Sequence, residues 1–229
     1  MKFAKRNAFT LAETLIVLAV IGVVAALTLP SVISKYQKYV YVNHLKKVYT
    51  EFSQAALKYM ADNEAATLTE AGMTSQEEAN NFVRKYFKVV DECEIAEVGK
   101  CFAKSYKRLD GTVFIDAKTS SYTGNKTFIL SNGAVLRLNY SFANNKILNL
   151  NVDINGLKGP NTLGRDRFGM FIYNNGVIDD VVGTDREVFN VTAPLSKEQR
   201  EESFNMWCMN NGTGGCFAKI LNDGWEMKY

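Results

Sequence analysis

The 229 residues include one histidine, two tryptophans, three prolines and four cysteines. The single histidine, His44, cannot build a multi-histidine metal site, and no nucleophile elbow or partner set for a His-based triad accompanies it. It lies in a helical stretch and reads as an exposed or partly packed helix residue. No two cysteines form a CxxC pair, so zinc lacks its usual ligands. Phosphate-cradling glycine loops, internal repeats and low-complexity segments are missing too. Lysines and arginines are scattered rather than clustered among aromatics, and the formal net charge is only +3, so nucleic-acid binding has little support. Enzymatic chemistry is left without visible machinery.

The strongest positive feature is the run Phe9 to Leu29, FTLAETLIVLAVIGVVAALTL, interrupted by one carboxylate, Glu13. As a helix it would be roughly 31 Å long, matching the roughly 30 Å hydrocarbon core of a bilayer. Lys2, Lys5 and Arg6 precede it with no acid among them, which assigns the short N-terminal end to the cytoplasm and the rest to the outside. A cleaved secretory signal has a shorter apolar region, of about 7–15 residues, and a small-residue cleavage site. A plain uncleaved anchor explains the length and the charge but not Glu13. A carboxylate in a membrane helix costs about 2.5–3.5 kcal/mol when central and less near the end, and such residues usually have a partner.

The stretch KRNA followed by FTLAETLIVLAVIGVVAALTLP resembles the N-terminal signature of type IV pilins and type II secretion pseudopilins. That family has a basic leader, a small residue, Phe-Thr-Leu, a Glu four residues after the Phe, an apolar helix and a proline near its end. The resemblance implies prepilin peptidase cleavage between Ala8 and Phe9, N-methylation of the Phe9 amine, and pairing of Glu13 with the Phe9 amine of a neighbouring subunit. Ala8 stands where the family usually has glycine, and Ala12 where it has a larger apolar residue. The implied partners are the peptidase, other pilin or pseudopilin subunits, an inner-membrane assembly platform and the lipid bilayer. An α-amine with a reference pKa near 7.7–8 is mostly protonated at neutral pH, so it suits a carboxylate in a low-dielectric bundle.

Beyond the run, about two hundred residues remain, enough for one domain or one domain with an appendage. Cys93 lies close to Cys101 and Cys208 close to Cys216. Four cysteines allow three connectivities, and in an oxidising exterior the two local pairs are the simplest choice. A C-terminal cystine loop also resembles the disulfide-closed region of many pilins.

Pro30 would kink or end a continuing helix. Tyr41, Leu45, Val48, Phe52, Ala55 and Tyr59 then recur at spacings of three and four, predicting an amphipathic helix to about Asp62 whose stripe rests on a sheet or another subunit. Residues 62–74 read as a connection. Ser75-Gln-Glu-Glu78 offers a capping box for a second helix to about Val90, followed by the DECEIAEVGKC loop. From Thr112 the pattern turns to strands in TVFIDA, KTFILSNGAVLRLNY, KILNLNVDI and FGMFIYNNGVIDDVV. Asn132-Gly133 and Asn175-Gly176 are hairpin signals, and the whole predicts an antiparallel sheet of four to six strands. Ser196 caps a helix to about Met209, and Trp207 and Trp225 read as packing anchors. In the loop from Asp153 to Phe168, the oxygen side chains of Asp153, Asn155 and Asp166 resemble the opening of a calcium loop, and calcium sites occur in a comparable loop of some major pseudopilins. The EF-hand pattern is incomplete, and an Asx-and-glycine turn is the alternative.

The expected fold is α+β and pilin-like, a long N-terminal helical spine packed on an antiparallel sheet. Its parts are a cleaved leader (1–8), a membrane and assembly helix (9–29) and an extracytoplasmic domain (30–229). The expected function is that of a structural, non-enzymatic subunit of a type II secretion pseudopilus or related filament, held in the bacterial inner membrane before assembly. A membrane-tethered adhesin or DNA-uptake receptor using the same export signal is the alternative.

Overall fold

A computed structural model describes residues 10–94, 97–114, 124–143, 145–181, 191–211 and 214–229. Helix α1 spans Leu11–Asp62 with Pro30 inside it. Proline has no N–H to donate to the carbonyl four residues back, yet the helix continues through it. The chain divides into two compact units at Val40/Tyr41.

In the first unit the large apolar side chains from Leu11 to Ile33 are exposed, and the segment is long and apolar enough to cross a membrane. In the second, the α1 residues Val42, Leu45, Val48, Phe52, Ala55, Ala56, Tyr59 and Met60 are buried. This is the expected stripe, except that Tyr41 is only half-buried. The stripe covers a six-stranded antiparallel sheet formed by β1 (Val89–Glu94), β4 (Lys126–Leu130), β5 (Val135–Ala143), β6 (Lys146–Asp153), β7 (Arg167–Tyr173) and β8 (Ile178–Asp179), in the order β1-β4-β5-β6-β7-β8. Alternation along the strands puts Phe128, Leu136, Leu138, Leu148, Leu150, Val152, Phe168, Met170 and Ile172 into the same core as the helix. Thr127, Arg137, Asn139, Asn149, Asn151 and Arg167 hold the intervening positions.

Both hairpin signals hold. Around Asn132-Gly133, Phe128 pairs with Leu136 and Gly133 takes a φ of 86°. Around Asn175-Gly176, Ile172 pairs with Ile178 and Gly176 takes 78°. Of TVFIDA, the described part is β3 (Val113–Phe114), which pairs with β2 (Tyr106–Lys107) in a separate two-stranded sheet; residues 115–117 lie outside the described residues.

The second helix, α2 (Gln76–Tyr86), begins as expected, with the Ser75 hydroxyl accepting from the Glu78 N–H at 3.2 Å. It ends at Tyr86 rather than near Val90, and Val89–Glu94 form edge strand β1. Phe87 leaves helical geometry with a φ of −122°, and pairing with β4 outweighs the helical spacing of the apolar residues. A short helix α3 (Val98–Cys101) follows. Near the C-terminus, α4 (Lys197–Ser203), a π-helical stretch Phe204–Cys208 and α5 (Met209–Asn211) succeed one another, with a full capping box between Ser196 and Gln199. Helix α6 (Cys216–Asn222) then returns to the core through Phe217 and Ile220, and Trp225 packs on Tyr49 and Phe217 as a ring anchor.

Candidate functional site

The start of α1 is organised by Thr10 and Glu13. The Thr10 N–H and hydroxyl donate to Glu13 Oε2 at 2.8 and 2.9 Å, while the Glu13 N–H donates to Thr10 Oγ1 at 3.3 Å. This reciprocal pattern is a capping box: it satisfies orphan donors of the first turn and sets a carboxylate at the positive end of the helix. Glu13 is thereby folded back on its own helix start, with no second charged side chain from Thr10 to Ser34. Thr10 was not singled out by the family resemblance, yet Thr-Leu-Ala-Glu is a capping-box spacing that would have found it. Ala8 and Phe9 lie outside the described residues.

Both local cystines form: Cys93 of β1 with Cys101 of α3, and Cys208 with Cys216 at the start of α6. The first clips α3 onto the sheet edge beside a small apolar cluster of Phe102, Tyr106, Val135 and Leu163. His44 is exposed on α1.

The residues expected to recruit calcium come together in the loop that joins β6 to β7. Asp153 is fully buried; its Oδ2 accepts from the Tyr106 hydroxyl at 2.6 Å and its Oδ1 from the Asn155 N–H at 3.1 Å. Asp166, also buried, accepts from the Asn161 and Thr162 N–H groups at 2.7 and 2.6 Å. Burial pushes the Asp153 carboxyl up to about 7, with Asp166 adding to the rise, and burial raises Asp166 as well. Asn155 donates to the Gly159 carbonyl at 3.1 Å. The side-chain oxygens of Asn155 and Asn161 are buried without a hydrogen-bond partner. Among the described residues, no group of three or more His, Cys, Asp or Glu is placed to hold a metal ion. A cation here would therefore depend on amide oxygens as much as on carboxylates. Two carboxylates and two unspent amide oxygens are hard donors of the kind calcium takes, and they fit it.

A second acidic pair, at Asp179 and Asp180, was not anticipated. Asp179 receives Arg200 through Nε at 3.0 Å and a terminal guanidinium nitrogen at 2.7 Å, and the Leu195 N–H at 2.9 Å. Asp180 accepts the N–H groups of Val181, Gly215 and Ala218, each at 2.8 Å. Gly215 is the N-cap of α6 and has no side chain to cap it, so Asp180 supplies that acceptor from another element. A Cβ at Gly215 would lie 2.2 Å from the Ser203 carbonyl oxygen, which excludes a side-chain cap at that position. The two aspartates thus hold α4 and α6, and with them the Cys208–Cys216 region, against the end of the sheet.

Residues 3–29 match the family model described as the prokaryotic N-terminal methylation motif, the type of signal carried by type IV pilins and pseudopilins. The match spans the Ala8–Phe9 bond, Thr10 and Glu13, and stops one residue before Pro30. Neither a curated protein nor a solved structure matches the chain. The methylation-type leader and the apolar helix fit a membrane-anchored, pilin-like protein.

Proposed function

We propose that this chain is a structural subunit of a type II secretion pseudopilus or a related type IV filament, cut between Ala8 and Phe9 and methylated on the Phe9 amine. The observation that carries this reading is Glu13: a lone carboxylate in the methylation motif, held at the helix start by Thr10. Left unpaired in hydrocarbon, such a group is costly; the cationic amine freed by cleavage on the next subunit supplies the missing charge. Exchange of the local Thr10 contact for that amine would tie assembly to one stagger of neighbouring helices. The domain from Tyr41 onward, with its sheet edge β1 and its C-terminal cystine region, would face other subunits.

Co-expression with a prepilin peptidase should remove residues 1–8, read as a mass loss on the intact protein. Cross-linking of membranes should then give a ladder of oligomers that disappears in Glu13→Ala. An unchanged mass would sink the filament reading, and a cleaved chain without ladders would favour a lone tethered receptor. Calcium belongs to the same proposal as a local brace: Asp153, Asp166, Asn155 and Asn161 would hold it and so pin the loop between β6 and β7.

A further inference from the structure

The first compact unit ends in a band of side chains unlike the run that precedes it. Thr14 to Ser34 are twenty-one residues without a charge, about 32 Å of helix at 1.5 Å per residue. Immediately beyond come Lys35, Tyr36, Lys38 and Tyr39, all within α1. At 100° per residue these four side chains fall within about 160° of one side of the helix. Tyr36 and Tyr39 are each 66% exposed, with no place in any apolar cluster of the fold. Two large rings left in contact with water, flanked by two cations, need an explanation that packing does not provide. The spacing supplies one, because a span bordered at one end by Glu13 reaches its opposite polar border at Lys35.

We infer that Lys35 and Lys38 bind the phosphates of anionic phospholipid headgroups, while Tyr36 and Tyr39 sit at the boundary between acyl chains and water. Amphipathic rings favour that boundary, and long lysine stems reach from it to the headgroups. The occupant is a lipid rather than a second protein because the band adjoins a bilayer-length apolar segment and carries two cations and no acid from Lys35 to Tyr39. The inference rests on the reading that α1 spans a membrane, but not on filament assembly or on which leaflet is involved. It would fix the depth of the unassembled helix and hold the subunit in patches of negatively charged lipid.

The test is native mass spectrometry of the full chain released from detergent micelles with phosphatidylglycerol or phosphatidylcholine added. Phosphatidylglycerol adducts should exceed phosphatidylcholine adducts about tenfold, on the scale of one to two lysine attractions of about 1 kcal/mol each. In Lys35→Gln/Lys38→Gln the ratio should fall several-fold below wild type, whereas in Lys46→Gln/Lys47→Gln it should stay at the wild-type level. A wild type without preference overturns the assignment. So does a preference undiminished in Lys35→Gln/Lys38→Gln, since Lys2, Lys5 and Arg6 give every variant the same background. Release of the chain from membranes by alkaline carbonate would remove the membrane span itself, and the headgroup site with it.

Discussion

Asp180→Ala probes the junction between the sheet and the C-terminal helices. The side chain is fully buried and takes three N–H groups, from Val181, Gly215 and Ala218. Its removal leaves three buried donors without an acceptor, at about 1–3 kcal/mol each. A gain offsets part of that loss. Burial pushes the Asp180 carboxyl up to about 6, despite the N–H groups that pull it down. In an unfolded chain the same group titrates near 3.9, and each unit of difference is about 1.4 kcal/mol. The folded state therefore holds the proton more tightly, and stability from this group is full below about pH 4 and is lost as pH rises through about 6. Charged Asp180 thus costs the wild type about 3 kcal/mol at neutral pH that alanine does not pay. The net destabilisation should be about 3 kcal/mol at pH 7 and larger by a similar amount at pH 4. Trp207 and Trp225 both lie in the C-terminal segment and report guanidinium unfolding of the detergent-solubilised chain by fluorescence. A destabilisation that is independent of pH, or greater at pH 7 than at pH 4, would refute the argument.

Arg200→Leu strands Asp179 as a buried charge without its cation and should cost about 3–5 kcal/mol in the same unfolding assay; Asp179→Leu/Arg200→Leu should recover most of it. Equal losses in the single and double variants would show that the pair is not coupled. Cys93→Ser/Cys101→Ser opens a loop with a sequence separation of 8 and should lower stability by about 2–3 kcal/mol, with α3 gaining amide exchange ahead of the sheet. Uniform exchange across β1 and α3 would count against a local clip. For the loop between β6 and β7, millimolar calcium should raise the melting temperature and EGTA reverse the rise, with Asp166→Asn abolishing both effects; a melting curve indifferent to calcium and chelator removes the metal.

What could be read from residues alone was whatever local chemistry decides. The Asn-Gly pairs specify hairpins because those turns need positive φ, and Ser75 and Ser196 announce helix starts through their own hydroxyls. The stripe from Leu45 to Tyr59 identifies the core face of α1 because helical period and burial coincide. Strand β1 was not legible: three of its six residues are acids, and it is a strand only because β4 offers an edge. Asp179 and Asp180 stand inside the strand-like run FGMFIYNNGVIDDVV, and nothing nearby in the chain names Arg200 or Gly215 as their partners. The candidate site divides the same way. Glu13 stands out from its apolar setting, the two cystines from proximity and the Asp153, Asn155 and Asp166 group from its loop, whereas Tyr106 as the donor to Asp153 comes from a strand 47 residues away.

The strand order has a consequence for how such a protein comes into being. From β4 to β8 every strand lies beside the one made just before it, so the sheet grows by successive reversals of a single thread. If the chain crosses a membrane in extended form, as the proposed function requires, this sheet can form in the order in which its strands emerge. Among the described strands of that sheet, β1 alone must wait for a later neighbour.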